Sequence, residues 1–273
     1  MAVPTRALAV VVCAGLFAGP AYADLEALAR ARRFYNAGDY AAAMAAARDA
    51  GRDAETADAA AIVLARAHLE QFRLAGDSGD LAAARDALRG VERARLGPRD
   101  ALDHTIGLAE ALYLDGDYGA AAETFEPLLA ASMPLDRTTR GRVVDWWAAA
   151  LDAEARARAA AERPAYYGRV VDRMEVELGR EDGAAVASYW LAAAALGAGD
   201  PGRAWQAAMA GWLRLSLVAA GGDEGNGVEA VRLDLDRLVT EAIIPTRVRV
   251  ESPAPTVRAL GEEWEAMKRR WAL

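Results

Sequence analysis

The chain has 273 residues, 54% hydrophobic and 26% charged, which is ample for a buried core and too apolar for disorder. Its formal net charge of −8 repels nucleic acid and anionic lipid at long range, so neither is an expected partner. One cysteine, Cys13, excludes an intramolecular disulfide framework.

The first residues have the layout of a targeting segment. Arg6 is the only charged side chain before Asp24, and the apolar run "ALAVVVCAGLFAG" follows it. "AYA" then places small residues at Ala21 and Ala23, which predicts signal cleavage after Ala23. The alternative is an uncleaved anchor, but the run is shorter than the roughly 18–20 residues that span a bilayer. Val10, Val11 and Val12 precede Cys13 where a lipoprotein signal would place small residues, so lipid attachment is not expected. Loss of residues 1–23 would remove Arg6 and Cys13, taking the charge from −8 to −9 and leaving no thiol. The expected location is the bacterial periplasm or the exterior, with no stable membrane anchor.

Residues 24–220 read as helical hairpins. "DLEALARARRFYNA" carries Leu25, Leu28, Ala31 and Tyr35 at helical steps. Gly38 is the expected C-terminal stop, because glycine enters the left-handed region without a steric penalty. Asp39 is the expected N-cap of the next helix, which Tyr40 opens. Ala43, Ala46, Ala47 and Ala50 then form a methyl stripe that lets two helices approach closely. Gly-Asp pairs recur at Gly79-Asp80, Gly116-Asp117 and Gly199-Asp200, in steps of 41, 37 and 83 residues. Gly76 also precedes Asp, but more loop is expected after it. The double step leaves room for an unmarked turn near residue 160, where Pro164 suits the first turn of a new helix.

"ALYLDGDYGAAAETFEPLLAASMP" resembles a tetratricopeptide repeat, with Gly116, Asp117, Tyr118, Ala121, Phe125 and Pro134 in the family's places. "RRFYNAGDYAAAMAAARDA" is similar, while the stretches at Gly79 and Gly199 match in part. The resemblance implies an all-α fold: a right-handed α-solenoid of about five helix pairs with C-terminal capping helices. It also implies a concave groove lined by the first helix of each pair, and binding of a protein or peptide partner.

"AAGGDEGNG" suggests a flexible connector over residues 221–227, with no calcium-loop or dinucleotide spacing. In the C-terminal part, 228–273, "VEAVRLDLDRLVTEAII" is amphipathic and "PTRVRVESPAPT" is expected to be extended. A final helix carries Val257, Leu260, Trp264, Met267 and Trp271 as one apolar seam, which must be buried on its own last repeat or on another chain. A cap on its own chain is the expectation.

Chemistry is sparse. His68 and His104 lie in no ligand-spaced cluster, and no nucleophile–base pair is visible. No enzyme activity, metal or cofactor is expected. All 7 tryptophans follow residue 145. In "RTTRGRVVDWWAAAL", Val144, Trp147 and Leu151 make a core stripe, while Trp146 lies about 100° away. Trp146 is either a second core residue or a groove residue flanked by Arg140 and Arg142. The groove reading makes Arg140, Arg142 and Trp146 the candidate binding residues. The principal expectation is an exported scaffold for a protein or peptide in the cell envelope; the alternative is a glycan- or small-solute-binding protein that stacks sugars on tryptophan.

Overall fold

A computed structural model describes residues 20–130, 135–180, 185–220 and 226–271. Within them the chain is all-helical, with no strand. It divides into two compact units, Met1–Ala101 and Leu102–Leu273. Inside each unit helices close in sequence pack on one another: Pro20–Asn36 on Tyr40–Ala50 and Ala57–Ala75 on Ser78–Arg89 in the first, and Val186–Gly197 on both Arg163–Leu178 and Pro201–Ala220 in the second.

The first unit holds α1 (Pro20–Asn36), α2 (Tyr40–Ala50), α3 (Ala57–Ala75) and α4 (Ser78–Arg89). Its core is built from Ala27, Leu28, Ala31, Ala46, Ala47, Ala50, Ala60 and Val63. Most of the expected signal segment and its Cys13 lie outside the described residues; Pro20–Ala23 form the first turn of α1.

The second unit contains most of α5 (Pro98–Leu114), then α6 (Tyr118–Phe125), α7 (Arg137–Ala157), α8 (Arg163–Leu178), α9 (Val186–Gly197) and α10 (Pro201–Ala220). After these come α11 (Asn226–Leu238), a π-turn at Val239–Ile243, α12 (Ile244–Val250) and α13 (Val257–Arg270). Residues 221–225 of the expected connector, and Pro134, lie outside the described residues, whereas Asn226 and Gly227 already belong to α11.

Three turns share one construction. Gly38, Gly116 and Gly199 have φ of +78°, +90° and +86°. In each, the glycine N–H bonds back to the third residue before it, and the following aspartate N–H to the fifth before that: Asp39 to Phe34 O, Asp117 to Leu112 O, Asp200 to Ala195 O. These crossed bonds satisfy the last carbonyls of one helix while the aspartate begins the next. At Gly38 and Gly116, tyrosines three before and two after the glycine also pack on each other, Tyr35 on Tyr40 at 5.8 Å and Tyr113 on Tyr118 at 5.2 Å.

The fourth turn corrects the sequence expectation. Gly76, not Gly79, takes the left-handed conformation (φ +72°) and ends α3 with one bond, from its N–H to Phe72 O. Asp77 is the cap of α4, accepting from Gly79 N at 2.8 Å. Gly79 lies inside α4, and Asp80 on its first turn pairs with His68 of α3 at 2.6 Å. The turn is shorter than expected, because one bond closes it where the other three use two. Asp117 also departs from expectation. Its side chain makes no cap bond, and Glu154 of α7 accepts from Gly119 N at 3.1 Å instead. Asp39 and Asp200 do cap, accepting from Ala42 N at 3.0 Å and Arg203 N at 2.8 Å. The unmarked turn falls between α7 and α8, with Pro164 in the first turn of α8.

The segment expected to be extended after Ile244 is helical as far as Val250. Pro245 lacks an N–H, and its ring crowds the carbonyl four residues back. The π-turn just before it widens the helix, with Ile244 N bonding Val239 O five residues back, so the chain passes the proline without breaking. In α13, Leu260, Trp264 and Met267 are buried, and Trp264 meets Trp205 and Trp212 of α10 at 5.8 and 5.7 Å. The seam therefore folds onto its own chain, although Val257 and Trp271 at its ends stay exposed.

Candidate functional site

The sequence places Arg140 at helical steps from Val144, Trp147 and Leu151, and the structure buries all four. Arg140 is 1% exposed and makes a two-pronged pair with Glu177 of α8, Nε to Oε2 at 2.7 Å and Nη2 to Oε1 at 2.6 Å. It also donates to the Leu129 carbonyl at 3.3 Å. Arg140 is thus an internal tie between α7 and α8, which corrects its expected role as a groove donor. A charge placed on the buried stripe is tolerated only with such a partner, which fixes its geometry.

Arg142 and Trp146 lie one turn apart on a different side of α7. Arg142 is 43% exposed, and its Nη2 is 3.4 Å from the buried carboxylate of Glu110 on α5. Trp146 is half-buried, its ring set edge-on to Tyr113 of α5 at 4.9 Å and 83°. Trp147, by contrast, is core, and its indole donates to Glu126 at 2.8 Å.

Residues not singled out from sequence complete this face. Asp145 accepts from the Trp190 indole of α9 at 2.8 Å. Asp152, two turns further along α7, accepts from Tyr167 of α8 at 3.0 Å and pairs with Arg156 at 2.6 Å. Burial, reinforced by nearby Asp152, raises the hydroxyl pKa values of Tyr167 and Tyr189. Burial and then Tyr118 do the same for Tyr113. All three phenols therefore stay neutral donors at physiological pH. The resulting surface is a line of half-buried aromatic rings with Arg142, Asp145 and Asp152 along it. The spacing of Asp145 and Asp152 by seven residues, beside Trp146, was a readable signal of a shared helical side; that Tyr113 and Tyr189 flank it required the packing.

This arrangement offers apolar contact with directional polar groups. Among the described residues there is no group of three or more His, Asp, Glu or Cys side chains able to hold a metal. His104 is buried within α5, and His68 is committed to Asp80. A cavity of about 310 Å³ beside α8, lined by Trp147, Arg169, Arg173 and Val176, has its two arginines engaged by Glu126 at 3.1 and 3.0 Å. No helix among the described residues is long and apolar enough to cross a membrane. Comparison with family models, curated proteins and solved structures gave no match.

Proposed function

We propose that the chain is an exported helical-repeat scaffold, resembling tetratricopeptide-repeat proteins, that binds a protein or peptide partner in the cell envelope. The observation that carries this reading is the α5–α7–α9 face, where Tyr113, Trp146 and Tyr189 are half-buried and Arg142, one turn before Trp146 on α7, is partly exposed. Rigid aromatic side chains held by their neighbours lose little entropy on binding, and an arginine among them supplies directional donors to a backbone or carboxylate. The three like-built turns at Gly38, Gly116 and Gly199 support a repeat architecture. The solenoid's hand and its groove remain part of the proposal.

Two measurements test it. N-terminal sequencing of protein from the periplasmic fraction should begin at Asp24; a start at Met1 contradicts export. Affinity isolation after cross-linking should yield one envelope protein in stoichiometric amount. That yield should fall about tenfold for Arg142→Gln combined with Trp146→Phe, a pair that keeps an aromatic ring at 146 and a polar side chain at 142. Equal capture by the variant contradicts the assignment of this face.

A further inference from the structure

Three tryptophans of the second unit share one arrangement. The indole N–H groups of Trp147, Trp190 and Trp264 donate to Glu126, Asp145 and Asp236, each at 2.8 Å. Trp212 of α10 breaks the pattern. Its indole nitrogen is buried and has no acceptor among the described residues. A buried donor without an acceptor carries a desolvation penalty.

The surroundings are cationic. Trp212 lines a cavity of about 270 Å³ together with Arg232 of α11 and Lys268 and Arg269 of α13. The Arg232 guanidinium lies 4.5 Å from the Trp212 ring centre and the Lys268 ammonium 5.3 Å. Tryptophan, arginine and lysine side chains donate hydrogen bonds and accept none, so these four side chains offer a ligand donors only. Their donors are only partly used. Lys268 gives bonds to Asp236 at 2.7 Å and Glu265 at 2.6 Å, two of its three protons. Arg232 engages Glu229 at 3.0 Å through Nη1, while its buried Nε has no acceptor among the described residues. Arg269 is exposed and has no carboxylate partner among them. Asp236 is turned to Trp264 and Lys268 and is already taken.

We propose that this cavity binds an oxyanion, the carboxylate or phosphate group of a ligand, between Arg232, Lys268 and Arg269, beside the Trp212 ring. The site stands apart from the α5–α7–α9 face and does not depend on it. Because Glu229, Asp236 and Glu265 offset much of the local positive charge, an isolated anion should bind weakly, with a Kd on the order of 1 mM.

The test uses the mature chain with 15N-labelled tryptophan, whose seven indole cross-peaks are resolved by proton–nitrogen NMR and whose Trp212 peak is assigned with Trp212→Phe. Inorganic phosphate and sodium acetate are titrated separately, with ionic strength held constant by chloride. The Trp212 peak should shift and saturate, and Arg269→Gln should weaken binding about fivefold or more while the other indole peaks stay in place. Saturation by phosphate alone identifies a phosphate ligand; saturation by acetate alone, a carboxylate; saturation by both, an oxyanion site that accepts either. A peak that neither anion moves, or one that moves as chloride moves it, overturns the proposal. So does unchanged affinity in both Arg269→Gln and Arg232→Gln.

Discussion

The α1–α4 hairpins and the helices from α7 onward solve one packing problem in different ways. In α1–α4 the interior is mostly alanine, with Ala31, Ala46, Ala47, Ala50 and Ala60 against one another. Methyl groups bring backbones close and need no polar partner. From α7 onward the interior is filled by Trp147, Trp190, Trp205 and Trp264, together with the Arg140–Glu177 pair. Large rings bury more surface per residue, but each indole brings an N–H to satisfy, and Glu126, Asp145 and Asp236 at the rim of the core accept from three of them. Alanine packing therefore depends on shape alone, whereas tryptophan packing also depends on charge and hydrogen bonding. Residues able to recognise a ligand are correspondingly concentrated in the second region.

That contrast can be broken most sharply at Arg140. Arg140→Ala should cost about 3–5 kcal/mol, because it removes the two-pronged partner of the fully buried Glu177 carboxylate and leaves Arg180 at 3.9 Å as a poor substitute. Arg140→Met with Glu177→Leu removes both charges and should recover most of that loss in urea denaturation. If the single substitution costs under about 1 kcal/mol, the pair is not what ties α7 to α8.

In the alanine region the sensitive quantity is volume. Ala47→Leu should cost about 1–3 kcal/mol by overpacking, since Ala47 is 2% exposed among other alanines. A neutral result in thermal melts would mean that the α1–α2 contact is loose.

A smaller effect separates two neighbouring glycines. Gly76→Ala should cost about 1–2 kcal/mol, because φ of +72° is strained for any residue with a Cβ although the space around it is open. At Gly79 the gain in helix propensity is offset by crowding of the Asp77 carboxylate, 3.1 Å from the added methyl, so Gly79→Ala should change stability by less than about 0.5 kcal/mol. The reverse order would put the turn back at Gly79.

The smallest expected effect is on pH dependence. Burial pushes the Asp236 pKa up, but hydrogen bonds from Lys268 and Trp264 outweigh it, and the net position is below the usual aspartate value. A depressed carboxylate pKa adds stability above its unfolded value and loses it as pH falls through the folded one. Asp236→Asn should therefore lower the melting temperature at pH 7, and the gap from the native chain should close below the usual aspartate range of about 3.9. A gap that persists in acid would show that Asp236 acts through shape and not charge.

Much of the helical architecture was legible because glycine and aspartate act locally. Gly38, Gly116 and Gly199 each lie where a helical period stops, and the backbone there needs only the residues beside it. Gly76 was missed because Gly79-Asp80 carries the same two letters, and the choice depends on whether one bond or two closes the turn. The helix through Pro245 was missed because a π-turn has no sequence marker of its own. That Trp146 and Arg142 lie off the core stripe of α7 was readable from their helical offset, while Arg140 was misplaced although it shares a stripe with Trp147; its partner Glu177 lies 37 residues away. The Trp212 cavity draws on three helices and has no contiguous signature.

The account rests most on the α7 face as the surface that meets a partner. Site-specific photo-cross-linking in living cells tests this directly, with the photoreactive residue placed at exposed Arg156 on α7 or at exposed Glu175 on α8. The α7 position should give one discrete cross-linked adduct in the envelope fraction, and the α8 position should give none. An adduct from Glu175 alone, or the same adducts from both, would contradict the assignment.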